Sequence, residues 1–237
     1  MFFKFMRTPF RLVSIAFLFF STHCLFAGYV NTPFLPGATL FNNPLDYNGV
    51  NNLTDLIPVP PNGTTVSLWN SATASFGTTS TYNNGSWSIN LTLQPGTGAE
   101  LFTSIAFTNT FVGNVLNHDG SPYTGGNLPP PPVFTGPNGI YLLGDKCPTT
   151  DTGTDIFLNI LGRLPNVGEQ VTLLNSATQI DTTSTYLGNG NWDNIPTLTV
   201  GYSAFLDVGP VPEPTTASLF CISLLFICWR MKPQKSH

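Results

Sequence analysis

Trp69, Trp87 and Trp192 are the side chains best suited to hold a ligand, because an indole offers a flat apolar face on which a sugar ring can stack. Core or cross-strand packing is the simpler use of such residues in alternating apolar and polar segments. The titratable groups offer less. His118 is the only histidine between residues 28 and 236, and it sits in the turn-like cluster Asn117-His118-Asp119-Gly120. Asp119 could orient the ring as a base, but adjacent side chains seldom meet in that way, and no G-x-S-x-G nucleophile motif is present. A solvated turn is therefore expected at His118. Cys147 is the one cysteine outside the terminal segments that carry Cys24, Cys221 and Cys228, so the body cannot form an intrachain disulfide. Burial is its expected fate.

Asp145, Asp151, Asp155 and Asp193 would make a glycoside hydrolase only if the fold set two of them across a cleft. Asp151-Thr152-Gly153-Thr154-Asp155 has oxygen ligands for calcium but lacks the D-x-D-x-D-G pattern and the distal Glu, so it reads as a polar turn. No zinc spacing occurs. No metal, cofactor or enzymatic activity is expected. Asn52, Asn62, Asn84 and Asn90 open Asn-x-Ser/Thr triplets, which carry little weight in a chain so rich in Asn and Thr.

Charge excludes one class of partner. Only 8% of residues are charged, against about 25% in an average soluble domain. Between residues 28 and 210, eleven carboxylates face only Lys146 and Arg163, a local charge of −9. Nucleic acid needs a basic surface, so none is expected to bind.

The elements that position these residues come from a repeat. Asn70-Ser71-Ala72-Thr73 recurs as Asn175-Ser176-Ala177-Thr178, Thr78-Thr79-Ser80-Thr81-Tyr82 as Thr182-Thr183-Ser184-Thr185-Tyr186, and Trp87 as Trp192. Val66-Ser67-Leu68 and Val171-Thr172-Leu173 alternate as half-buried strands do. Asn84-Gly85 and Asn189-Gly190 suit a type I′ turn, which would set Tyr82 opposite Trp87 and Tyr186 opposite Trp192. Leu91-Thr92-Leu93 and Thr197-Leu198-Thr199-Val200 look like the next strands. No helical periodicity is evident between the ends. The expected fold is all-β: two tandem β-sandwich or barrel-like repeats at 28–120 and 133–209, joined by a Pro/Gly-rich connector at 121–132.

The ends carry addresses. Residues 1–27 combine basic Lys4, Arg7 and Arg11, an apolar run and a plausible cut after Ala27, as a secretory signal peptide does. Residues 210–237 read Val211-Pro212-Glu213-Pro214, an apolar segment at 215–229, and a basic stop at Arg230, Lys232 and Lys235. The two prolines hold the motif extended, the apolar segment can enter a membrane, and the basic end stays cytoplasmic.

This tail resembles the PEP-CTERM sorting domain of Gram-negative bacteria, in which Val211-Pro212-Glu213-Pro214-Thr215 matches the Val-Pro-Glu-Pro-Ser/Thr signature. Residues 66–102 and 171–205 also resemble paired modules of secreted proteins with such tails. The resemblance implies a substrate of an exosortase, a membrane cysteine transpeptidase. It also implies export through the Sec translocon, transient inner-membrane anchoring through a C-terminal transmembrane sorting helix, and delivery to the cell envelope or extracellular polysaccharide matrix. Exopolysaccharide is then an expected partner. A carbohydrate-binding module at the cell surface using the three tryptophans is the alternative, with a glycoside hydrolase behind it.

Overall fold

The computed structural model describes residues 27–126 and 128–209. The expected signal peptide, apart from Ala27, and the expected sorting segment with Val211, Pro212, Glu213, Pro214, Arg230, Lys232 and Lys235 lie outside the described residues.

The described chain is all-β. It runs β1 (Ala27–Phe34), β2 (Gly37–Asn42), one helical turn α1 (Leu53–Leu56), β3 (Thr65–Asn70), β4 (Ser75–Asn83), β5 (Ser86–Trp87), β6 (Gly98–Thr103) and β7 (Phe107–Asn114). The second half follows as β8 (Gly139–Leu143), β9 (Asp151–Thr152), helix α2 (Thr154–Leu161), β10 (Gln170–Asn175), β11 (Ile180–Gly188), β12 (Asn191–Trp192), β13 (Thr197–Leu198) and β14 (Ala204–Val208). Two five-stranded antiparallel sheets dominate, ordered β2-β6-β3-β4-β5 and β8-β14-β10-β11-β12. Matched through the sequence repeat, the two orders are the same strand for strand. Among the described residues no helix is long and apolar enough to cross a membrane.

The repeated residues have repeated jobs. Asn70 Oδ1 accepts the Ala72 N–H at 3.0 Å, and Asn175 Oδ1 accepts the Ala177 N–H at 3.0 Å, so each Asn builds the turn that reverses its hairpin. Asn84 and Gly85 both have positive φ, as do Asn189 and Gly190, which is the backbone that a type I′ turn requires. Tyr82 therefore pairs with Trp87, and Tyr186 with Trp192, with ring centroids 5.4 and 5.3 Å apart. On the outer faces, Ser67 pairs its hydroxyl with Thr79, and Thr172 with Thr183. On the inner faces, Val66, Leu101, Val171 and Leu206 are fully buried.

The halves cover their cores differently. In the first, the antiparallel ribbon β1–β7 supplies Phe34 and Phe111. In the second, α2 supplies Ile156, Phe157 and Leu161. This helix departs from the sequence expectation, because two turns with three buried side chains are too short to register as a period. Leu91–Leu93 departs as well: it forms only an isolated bridge, Asn52 to Thr92, whereas β13 pairs with β9. The connector is not a free linker. Its Pro131 and Pro132 carbonyls press against Gly162, where α2 ends, and just after it the Phe134 N–H donates to Leu161 O at 2.8 Å. Just beyond, Arg163 makes two hydrogen bonds, of 2.8 and 2.7 Å, to the buried Glu169 and lies over the Phe157 ring.

The sheets meet through reciprocal strand edges. Phe41 of β2 bridges to Tyr202, just before β14, and Leu143 of β8 bridges to Thr97, just before β6. The Asn42 N–H donates to Gly201 O, and the Gly144 N–H to Gly96 O. Gly96 and Gly201 are matching residues of the repeat with φ of +83° and +82°, and both sit where the chain crosses to the opposite half. The crossing is tight: a Cβ on Gly98 would lie 2.6 Å from the Leu142 carbonyl oxygen.

Gly98→Val should therefore lower stability by about 1–3 kcal/mol, read as a lower urea midpoint with unchanged slope. Gly77→Ala, whose Cβ would meet nothing closer than 3.9 Å, should cost much less in the same measurement.

Candidate functional site

The tryptophans are placed by their strands. Trp87 and Trp192 are only 8% and 9% exposed, within the two cores. Trp87 donates from Nε1 to Ile57 O at 2.9 Å. Neither indole has a face free for a sugar ring, so both are used as the simpler reading of the sequence has it, in core and cross-strand packing. Trp69 is half-buried between Phe76 and Phe205, with centroids 5.1 and 4.8 Å away, and its Nε1 donates to Ile140 O at 2.8 Å. Its work is to join the halves.

One correction concerns His118. It is not a solvated turn residue: it is 6% exposed. After β7 the chain folds on itself, with Leu116 bridging to Pro122 and the Gly120 N–H donating to Asn117 O. That loop drives His118 inward, where Nδ1 lies 2.9 Å from Asp145 Oδ1. Asp119 turns away and accepts the Ser121 N–H and hydroxyl, which hold its carboxyl below the usual range. The histidine therefore has a carboxylate partner, but one 27 residues away and in the other half.

A small buried network surrounds this pair. Asp145 also accepts the Cys147 N–H at 3.0 Å and the Thr149 hydroxyl at 2.8 Å. Asp151 accepts Asn159 Nδ2 at 2.8 Å on one oxygen, while its other oxygen is buried with no partner. A cavity of about 190 Å³ borders His118, Lys146 and Asn159. The first half has amides at the matching places. Asn43 Nδ2 donates to Asn51 Oδ1 at 3.0 Å, and Asn43 Oδ1 accepts the Leu45 N–H as Asp145 accepts that of Cys147. The second half thus carries acids where the first carries neutral amides.

The chemistry follows from burial. Desolvation, then the charge of Asp145, pushes the Asp151 carboxyl up to about 6. The hydrogen bond to Asp145 raises the His118 pKa above its ordinary value. Desolvation pushes the Cys147 thiol up to about 12, so it is not a thiolate at neutral pH. The cluster is a buried, hydrogen-bonded group of titratable side chains at the junction of the halves. Asp155 and Asp193 lie apart from it and are exposed. Among the described residues no three His, Cys, Asp or Glu side chains are grouped so as to hold a metal ion. Of the Asn-x-Ser/Thr asparagines, Asn52, Asn62 and Asn90 use their side-chain oxygens as internal acceptors.

No family profile, curated protein or solved structure matches this chain.

Asp151 and His118 bind protons more tightly in the folded than in the unfolded state. The Asp151 contribution is fully present below 3.8 and is lost as pH rises towards about 6. The His118 contribution is fully present below 6.5 and is lost as pH rises through its folded value. Asp151→Asn should accordingly gain stability relative to the unsubstituted protein as pH rises from 4 to 6, and His118→Gln should gain above about 6.5. Urea midpoints across that range measure both; parallel curves for all three proteins would remove the cluster from the pH dependence.

Proposed function

We propose that this chain is an exported, non-enzymatic β-repeat protein and an exosortase substrate. Its two halves derive from one duplicated module, sandwich- or barrel-like in each copy. It passes the Sec translocon, anchors briefly in the inner membrane through residues 215–229, and is delivered to the cell envelope or the extracellular polysaccharide matrix.

One observation carries the reading: the ordered tail of Val211-Pro212-Glu213-Pro214, then an apolar segment, then Arg230, Lys232 and Lys235. Membrane insertion alone requires an apolar run and flanking charge but no Pro-Glu-Pro. A basic, apolar and small-residue N-terminus supports the same route. So does the layout of the strands. They run from Ala27 to Val208, so cuts after Ala27 and near Pro212–Pro214 would leave β2 to β14 whole and take only Ala27 from β1.

Replacing Glu213 and Pro214 by alanine, in a host that makes an exosortase, should leave the full-length precursor in the membrane fraction. Intact mass of the extracellular protein reports both cuts. Release of the double variant at the same mass and rate as the unsubstituted protein would overturn the proposal.

A further inference from the structure

One serine of the repeat has a partner in the first half and none in the second. In the first half Ser80 is sealed by the strand connection that follows β5: its Oγ donates to Ile89 O at 2.6 Å and accepts the Ile89 N–H at 3.1 Å. Ser184 is its counterpart on β11, and the residue matching Ile89 is Asn194. Asn194 does not reach back. The cause is the residue before it. Where the first half has Ser88, whose Oγ accepts the Thr81 N–H at 2.9 Å, the second half has Asp193. Asp193 Oδ1 accepts both the Thr185 N–H at 2.8 Å and the Asn194 N–H at 2.6 Å. The carboxylate thus takes the N–H that would otherwise close on Ser184.

Ser184 opens on a groove of about 600 Å³ lined by the second half and by β2 of the first. Ser184 lines it, 1% exposed, and its hydroxyl makes no hydrogen bond among the described residues. Thr182, Asn194 and Thr199 line it too, with side chains free of internal partners. Leu40, contributed by the first half, and Leu173 give it an aliphatic surface. No lining residue is charged.

We infer that this groove binds a neutral saccharide segment. The donor and acceptor set is made of hydroxyls and an amide, which match sugar hydroxyls in both directions. The aliphatic patches suit the C–H faces of the ring, and an uncharged wall confers no preference for an acidic sugar or an ion. A peptide fits less well: extended peptides add to a strand edge through backbone groups, whereas the free partners lining this groove are side-chain hydroxyls and an amide, and β12 pairs with β11 only at Tyr186 and Gly188. The inference deepens the export reading and rests on it for where the glycan is met. The groove's own chemistry does not depend on sorting.

The test uses the full uncleaved chain, purified in a zwitterionic, sugar-free detergent and titrated calorimetrically with cellohexaose, maltohexaose, isomaltohexaose and hexagalacturonate. At least one neutral hexasaccharide should bind with a Kd below about 1 mM, and more tightly than hexagalacturonate. Thr182→Trp, which fills the groove from an exposed position, should weaken that binding at least tenfold. Ser184→Ala should weaken it severalfold without lowering the thermal midpoint. Absence of binding by all three neutral sugars, equal or tighter binding of hexagalacturonate, or unchanged binding by Thr182→Trp would overturn the inference. Any of these results would leave the sorting proposal intact, since processing of the tail is measured separately in cells.

Discussion

A sheet edge is a row of backbone donors and acceptors that must find partners, and this molecule resolves the problem by having each half close the edge of the other. β2 and β8 are the outer strands of their sheets. On β2, the Ala38 N–H donates to Gln179 Oε1 and Ala38 O accepts Gln179 Nε2, at 2.8 and 2.9 Å. Leu40 O accepts the Ser203 N–H, and the Asn42 N–H reaches Gly201 O. On β8, Ile140 O accepts Trp69 Nε1, and the Gly144 N–H reaches Gly96 O. The contacts are reciprocal, as at a two-fold interface between identical subunits. Here the two subunits are halves of one chain.

Symmetric backbone pairing is dressed with asymmetric side chains. Trp69, Phe76 and Phe205 form an aromatic cluster across one side of the interface. By the repeat, their counterparts on the other side are Leu174, Asp181 and Glu100. Burial raises the pKa of Glu100, which shows that this side did not simply remain apolar. The same substitution of polarity recurs elsewhere: Asn43 and Asn51 against Asp145 and Asp151, Thr64 against Glu169, and Ser88 against Asp193. Glu169 is held by Arg163, so its burial is compensated. Asp151 is not fully compensated, and its raised pKa is the consequence.

Much of the scaffold was legible in the sequence because local chemistry dictated it. Asn-Ser-Ala-Thr builds its own turn, Asn-Gly adopts positive φ, and Tyr and Trp then face each other by geometry alone. The β class and the hairpins of both halves follow from these. The buried histidine was not legible, because its partner is set by how a loop after β7 packs on the opposite half, and only Asp119 is near in sequence. α2 was hidden by its brevity. The groove was hidden for a different reason. Ser80 and Ser184 are identical in sequence, and their fates diverge through a single acceptor, Asp193, acting on the next N–H. The difference between Ser88 and Asp193 carries the signal, but its meaning depends on which N–H the carboxylate meets in the folded chain.

The interface also bears on the groove. Domains joined by a linker move relative to one another unless their contact is extensive, and a binding surface that spans such a joint would have to order itself on each encounter. Leu40 belongs to β2, whereas Ser184, Thr182 and Asn194 belong to the second half, so the groove does span the joint. It is held by contacts on every side: Ser203 Oγ donates to Phe41 O at 3.1 Å, and Tyr202 OH donates to Pro33 O at 3.1 Å. At the far end, His118 of the loop after β7 reaches Asp145 of the second half. The edge-closing contacts that satisfy the backbone therefore also fix the relative position of the groove's walls. A saccharide would meet a surface already formed, and would not have to supply the free energy of assembling it.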